Sequence, residues 1–163
     1  MSKILLISTG GTFNKVYNPL DGSLPIDINS NALDNIASAW RCKFKFINII
    51  GKDSLDISTK DRALLLDTIK NATQKKILII HGTDTIDITA QYLKEAKLNK
   101  QIILTGAMIP YSIDPIEATA NLASAYGYLL ALEKVGVYIG MNSAISLAKN
   151  VKKNRKKGYF EIL

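Results

Sequence analysis

Two polar segments that directly follow apolar runs carry the residue types best suited to chemistry. Residues 77–80 are all apolar, as in a strand covered on both faces, and residues 81–85 read H-G-T-D-T. Residues 4–7 are likewise apolar and lead into S-T-G-G-T at 8–12. Ligands of open α/β sheets bind at the carboxyl ends of the strands. We therefore expect the hydroxyls of both segments, together with the carboxylate of Asp84, to face one crevice.

The residue inventory excludes several kinds of catalytic site. His81 is the only histidine, so one chain cannot hold a Ser-His-Asp triad, a His-x-x-x-His zinc site or a histidine pair. At a strand end, His81 is itself expected to be a structural hydrogen-bonding residue rather than a base. The glycines match neither G-x-G-x-x-G nor the P-loop pattern, which weakens a dinucleotide or nucleoside-triphosphate site. Threonine, tyrosine, lysine and aspartate remain, and neither a metal nor a cofactor is expected.

The composition predicts one domain in a reducing compartment. The 163 residues are 47% hydrophobic, which suits a single domain with its own core. No apolar run approaches the ~20 residues of a membrane span, and the first run stops at Ile7, too early for a signal-peptide core. Cys42 is the only cysteine, which excludes an intrachain disulfide and a cysteine metal cluster. We therefore expect a cytoplasmic protein without a membrane partner.

The net charge of +7 is concentrated near the carboxyl end. Six basic residues lie between positions 149 and 157, which leaves the rest of the chain close to neutral. A basic run without interleaved aromatic stacking residues is usually a solvated face. Nucleic-acid binding is therefore not expected.

Strands and helices alternate along the chain about five times. This pattern is typical of a doubly wound α/β domain, with a mostly parallel sheet, right-handed crossovers and helices on both faces. We expect the three-layer sandwich of flavodoxin-like and Rossmann-like proteins. The predicted strands cover residues 3–7, 43–47, 77–80, 101–104 and 136–140, and the predicted helices 31–40, 59–70, 86–97 and 115–133. The predicted helix caps are Ser30, Ser58 in a capping box with Asp61, Asp84 or Thr85, and Asp114 followed by Pro115 and Glu117.

Three segments lie outside these predicted elements. Residues 8–25 form a long connection around Tyr17, and a connection of this length is more often a functional loop than an accident. Residues 52–57 are predicted to form a polar loop. Residues 141–163 are predicted to be a polar tail with an apolar end at 159–163.

Three glycine-threonine turns together resemble the L-asparaginase family of bacterial type. They are T-G-G-T at 9–12, H-G-T-D-T at 81–85 and L-T-G-A-M at 104–108, each at a predicted strand end. One such turn is a weak signal, but three in this order are specific. The resemblance covers essentially the whole chain and corresponds to the larger, amino-terminal domain of the two-domain enzymes. We expect residues 1–163 to form one asparaginase-like domain, with no second carboxyl-terminal domain.

The resemblance implies hydrolysis of the side-chain amide of L-asparagine, with L-glutamine as a further candidate, through a threonine nucleophile and an acyl-enzyme. By the resemblance, Thr12 matches the nucleophile and Tyr17 the tyrosine that polarises it. Thr83 matches the second threonine, with which Lys153 would pair. The implied substrate-binding residues are Asp84 for the α-amino group, Ser54 for the α-carboxylate, and Gly11, Asp53, Gly82 and Ala107 beside them.

The residue chemistry agrees with these implied roles. A threonine hydroxyl is a weak nucleophile that needs a partner to take its proton, and a lysine or a tyrosine could serve without a second histidine. Backbone N–H groups of Gly11 and Gly82 could hold an oxyanion, because glycine permits close backbone approach. Asp84 would form a charge-assisted bond to an ammonium group.

Each implied role has a simpler alternative, and other functions stay open. Thr12 could cap a turn, Asp84 could cap a helix, Tyr17 could cover the core, and Lys153 could be solvated. The chain could also bind asparagine or aspartate without turnover, or act as an asparaginase-like amidase with an RNA partner. A homo-oligomer, either a dimer or a tetramer, is expected, and we hypothesise a dimer in which residues 159–163 pack on another subunit.

Overall fold

Apolar runs of the sequence form the centre of a six-stranded sheet in the computed structural model, which describes residues 3–163. The strand order is β2-β1-β3-β4-β5-β6, with the first five strands parallel and β6 antiparallel to β5. The strands are β1 Ile4–Gly10, β2 Lys45–Lys52, β3 Lys76–Ile80, β4 Gln101–Thr105, β5 Gly136–Met141 and β6 Ala144–Leu147. The helices are α1 Asn31–Ala39, α2 Thr59–Asn71, α3 Ile86–Glu95 and α4 Pro115–Ala131.

Helices cover both faces of the sheet, which explains why its central strands have no polar face. In β3, Ile77 and Ile79 pack in one core cluster with side chains of α2 and α3. Leu78 and Ile80 point the other way, into a second cluster with α1 and α4. The predicted doubly wound, three-layer α/β architecture is confirmed.

The strand order places a crevice between β1 and β3. From β1 the chain crosses to β2 on one side, and from β3 it continues to β4 and β5 on the other. Such a reversal is the usual ligand position in a doubly wound sheet. The segment 81–85 directly follows β3, and the T-G-G-T segment at 9–12 spans the last two residues of β1 and the turn after it.

Two helix starts form as predicted. The Ser58 hydroxyl accepts from the Asp61 N–H at 3.2 Å while the Asp61 carboxylate accepts from the Ser58 N–H at 2.8 Å, which completes the capping box. Asp114 caps α4 by accepting from the Ile116 N–H at 2.9 Å.

Two other residues predicted as helix caps occupy the N-cap position, but their side chains do not accept from the helix N–H groups. Ser30 occupies the N-cap position of α1 in a left-handed conformation, but its hydroxyl donates to the Asn48 side chain, and Asp27 accepts from the Asn31 N–H instead. Thr85 occupies the N-cap position of α3, but its hydroxyl donates to the Ser54 carbonyl at 2.7 Å. In both cases the side chain that the local sequence pattern assigned to a helix cap bonds instead to a residue distant in the sequence.

The prediction of a polar tail over residues 141–163 is wrong. Asn142 and Ser143, both at positive φ, turn the chain from β5 into β6. A hairpin of β7 (Val151–Asn154) and β8 (Tyr159–Ile162) follows, and it buries Val151 and Phe160 in the cluster of α2 and α3. These short strands escape prediction because a charged residue directly follows each inward apolar one, Lys152 after Val151 and Glu161 after Phe160. Likewise β2 runs to Lys52 rather than Ile47, along a row of only half-buried side chains.

The helices of residues 3–163 do not reach the combination of length and apolar character that crossing a bilayer requires.

Candidate active site

The turns after β1, β2, β3 and β4 pack backbone against backbone. A Cβ placed on Gly11, which has φ +75°, would lie 2.5 Å from both Cα and N of Gly82. A Cβ on Gly82 would lie 2.6 Å from Cβ of Ser54, and one on Gly106 would overlap the His81 carbonyl. Only glycine allows so close an approach. The glycines therefore bring the turns that carry Thr12, Ser54 and Thr83 into direct contact.

Thr12 opens a short 3₁₀ turn, Thr12–Asn14, directly after Gly11. The Gly11 N–H donates to the Lys52 carbonyl at 2.9 Å, and the Lys15 N–H donates to the Thr12 carbonyl at 3.1 Å. Phe13 is fully buried and stacks near Tyr111, with 6.4 Å between ring centroids. The Thr12 backbone is thus held firmly while its side chain is only half-buried. Because its N–H is already bonded, Gly11 cannot serve as the oxyanion donor expected from sequence, and Gly82 remains the candidate.

Thr83, Asp84 and Lys153 form one hydrogen-bonded cluster. The Lys153 ammonium donates to the Thr83 hydroxyl at 2.8 Å and to Oδ1 of Asp84 at 2.8 Å. Thr83 is 6% exposed and the Lys153 side chain 14%, so this contact is largely shielded from water. The pair joins residues 70 positions apart, from the turn after β3 and from β7.

Asp84 has a second cationic partner, which the sequence analysis missed. Arg155 donates from Nη1 to Oδ1 of Asp84 at 2.9 Å and from Nη2 to the Asp84 carbonyl at 3.0 Å. The hydrogen bonds from Lys153 and Arg155 hold the pKa of the Asp84 carboxyl below its usual value, although partial burial opposes them. Arg155 is the first residue of the turn after β7, two positions beyond Lys153, so no strand pattern in the sequence predicts its contact with Asp84.

Ser54 and Asp53 also have internal partners. Ser54 is 1% exposed, and its hydroxyl accepts from the Asp84 N–H at 3.2 Å. Asp53 forms an ion pair with Lys15 at 2.6 Å, and this hydrogen bond lowers the pKa of the Asp53 carboxyl. Lys15 was not singled out by sequence, because nothing local links it to a residue 38 positions away.

Tyr17 and Ala107 lie apart from this cluster. Tyr17 is 53% exposed on the irregular hairpin of residues 15–26. Ala107 is fully buried in the core cluster of α1 and α4, together with Phe13. Of the predicted site residues, the structure therefore brings together the three turns and Lys153, while Tyr17 stays at the surface.

A network around the partly buried Glu117 carboxylate holds the β7–β8 hairpin in place. Glu117 accepts from the N–H groups of Met108 and Ile109 and from the Asn142 side-chain amide at 3.2 Å. Asn142 in turn accepts from the Phe160 N–H at 3.1 Å. This chain of bonds fixes the hairpin that carries Lys153 and Arg155.

His81 is a structural residue, as its position suggested. It is fully buried, with Nδ1 2.8 Å from the Gly82 carbonyl and Nε2 2.8 Å from the Thr89 hydroxyl. A carbonyl can only accept, so Nδ1 carries the proton and the neutral Nε2 accepts from Thr89. Burial lowers the pKa of His81 to about 4. The ring thereby shapes the turn that presents Thr83.

The depressed pKa of His81 predicts a loss of stability in mild acid. The unfolded chain takes up this proton near pH 6.5 and the native protein only near pH 4, so the free energy of unfolding should fall by up to about 3 kcal/mol between these values. Urea denaturation across pH 4–7 measures this slope. A His81→Gln variant should show a flatter profile, and equal slopes in both proteins would contradict the assignment. Asp53 and Asp84, whose pKa values are lowered, lose their contributions only below about pH 4.

Comparison with known proteins agrees with this arrangement of turns. The family model described as "Asparaginase, N-terminal" matches residues 3–160. The chain belongs to the asparaginase family. It is 27% identical over 164 residues to the glutaminase-asparaginase of Acinetobacter glutaminasificans, covering 93% of this chain and 50% of that protein. It is 29% identical to a probable periplasmic L-asparaginase of Haemophilus influenzae, over 94% of this chain and 46% of that protein.

The fold also agrees with that of a solved structure of a probable L-asparaginase. The crystal structure of a probable cytoplasmic L-asparaginase from Campylobacter jejuni superposes with a TM-score of 0.82 at 24% identity, over 99% of this chain and 54% of that one. The asparaginase-family chain thus spans about half the length of the curated relatives it matches.

Proposed function

We propose that this asparaginase-family chain hydrolyses the side-chain amide of L-asparagine to L-aspartate and ammonia, with L-glutamine as a second substrate. The observation that carries the proposal is the buried contact from Lys153 to the Thr83 hydroxyl, beside the turn that presents Thr12. The names of the relatives, asparaginase and glutaminase-asparaginase, support the substrate class.

The geometry supports a two-step acyl transfer. Thr12 attacks the amide carbonyl carbon, and the carbon–nitrogen bond breaks to leave an acyl ester on Thr12. The Lys153 ammonium donates to the Thr83 oxygen, which makes the Thr83 hydroxyl a better donor to the departing nitrogen. The proton that Thr12 gives up leaves with ammonia, and water then cleaves the ester. Tyr17 would polarise Thr12 only if the exposed hairpin of residues 15–26 folds over the site.

We propose that the substrate lies in the crevice between the turns after β1 and β3. Gly82 would donate to the oxyanion, and Ser54 and Asp53 would line the carboxylate side. No metal or cofactor enters this mechanism.

The surroundings of the site also bear on partners and compartment. We propose a homodimer, supported by the exposed apolar side chains at the chain end, Tyr159, Ile162 and Leu163. An RNA partner gains little support, because Lys153, Arg155 and Lys157 of the basic tail are engaged in ion pairs within the chain. The lone thiol of Cys42 and the likeness to the probable cytoplasmic enzyme of Campylobacter jejuni support a cytoplasmic setting. That residues 1–163 form one asparaginase-like domain remains a prediction.

The test is ammonia release from L-asparagine by the purified protein and by a Lys153→Met variant. Loss of the Lys153 ammonium should lower kcat by about 10²–10³-fold, because Thr83 is then no longer polarised. Lys156→Met is the matched control, since Lys156 lies exposed on the turn after β7 and should leave kcat within about twofold. Equal activity of the Lys153 variant and wild type would contradict the mechanism. A melting temperature raised by asparagine without ammonia release would mean a binding protein instead.

A further inference from the structure

Arg155 forms more hydrogen bonds with Asp84 than a simple ion pair requires. Its guanidinium bonds the Asp84 carboxylate at 2.9 Å and the Asp84 carbonyl at 3.0 Å, while Lys153 shares the same carboxylate oxygen at 2.8 Å. The Asp84 N–H is bonded to Ser54. Oδ1, the carbonyl and the N–H of Asp84 are therefore all engaged within the chain.

The charges around Asp84 disfavour an added cation. A cleft of about 120 Å³ separates the turn after β3 from the β7–β8 hairpin. It is lined by the carboxylates of Asp84 and Asp87 and by the cations of Lys152, Lys153 and Arg155, so cations are in excess. The ammonium of a free amino acid would approach Asp84 as a further positive charge beside two cations that already hold it. A ligand that lacks an ammonium group, in contrast, brings no further positive charge to Asp84.

We propose that Arg155 sets the substrate class of this site. Because of Arg155, the site favours monoamides of dicarboxylic acids that lack an α-ammonium group, such as succinamate, over L-asparagine. The inference deepens the proposed amide hydrolysis and rests on it. Arg155 bonds Asp84 in the place that the resemblance assigned to the α-ammonium, and its side chain is 64% exposed.

The experiment compares kcat/KM for ammonia release from succinamate and from L-asparagine. Wild type should favour succinamate by at least about 10-fold, the size of one charge-assisted hydrogen bond. In Arg155→Ala the ratio should shift at least about 10-fold toward L-asparagine, because Asp84 regains room for an ammonium. Arg155→Lys, which keeps the charge but not the two-point contact, should lie between.

Lys156→Ala is the matched control, since it removes one exposed positive charge from the same hairpin without touching the Asp84 contacts. Its ratio should equal that of wild type. A wild type that prefers L-asparagine overturns the inference. The same holds if Arg155→Ala and Lys156→Ala have the same ratio.

Failure of the proposed hydrolysis is distinguished by binding. If no variant releases ammonia from either compound, the proposed function is wrong, and calorimetric Kd values of succinamate and L-asparagine decide the inference instead. Tighter binding of succinamate by wild type, reversed or levelled in Arg155→Ala, supports it. Tighter binding of L-asparagine by wild type, or binding of neither compound, overturns it.

Discussion

Replacing Thr12 with alanine should abolish ammonia release from L-asparagine, with kcat/KM lower by about 10⁴-fold or more. The reason is that no acyl ester can form without the Thr12 hydroxyl, and the neighbouring Thr83 is bonded to Lys153 rather than free to attack. The fold should tolerate the change, because the turn is held by backbone bonds of Gly11 and Lys15 and by buried Phe13.

Thr12→Ser is the control that separates the hydroxyl from the shape of the side chain. Serine keeps the nucleophilic oxygen, so this variant should retain measurable turnover and form a trapped acyl-enzyme visible by mass spectrometry after acid quenching. Thr12→Ala should show no such adduct at an unchanged melting temperature. Activity near wild type in Thr12→Ala would reassign the nucleophile, with Thr83 as the next candidate.

Replacing Gly11 with alanine should lower the free energy of unfolding by about 3 kcal/mol or more. An alanine there has to adopt φ +75°, which costs about 1 kcal/mol, and its Cβ would lie 2.5 Å from backbone atoms of Gly82. Backbone cannot swing aside as a side chain can, so the two turns must separate, at the cost of overpacking. Activity should fall with stability, because the same contact brings Thr12 and Thr83 together.

Gly22→Ala provides an unusually close control for this prediction. Gly22 has nearly the same dihedral, φ +73°, but a Cβ there meets no atom within 4 Å. It should therefore cost only the conformational penalty of about 1 kcal/mol. Urea denaturation of both variants measures the difference directly. Equal losses would mean that the strain of positive φ, and not the close approach of the turns, requires glycine at position 11.

The core of the fold was predictable because its signals are local. The runs at 4–7, 77–80 and 102–104 are apolar on both faces, which identifies central strands regardless of their neighbours. Capping at Ser58 and Asp114 was likewise correct, since each cap bonds within three residues. The edges were less predictable: β2, β7 and β8 mix half-buried and charged residues, and β6 is only four residues long, so their pairing partners, not their composition, make them strands.

Apolar periodicity and glycine positions are properties of short segments, so they were enough to specify the sandwich and the glycine-threonine turns that meet at the crevice. The partners of the charged groups there follow instead from tertiary packing. Arg155 reaches Asp84 across 71 positions and Lys15 reaches Asp53 across 38. Such contacts depend on how distant elements pack, and a single sequence carries no local trace of them. The position of one short hairpin, held by Asn142 and Glu117, thereby determines the charges placed around Asp84.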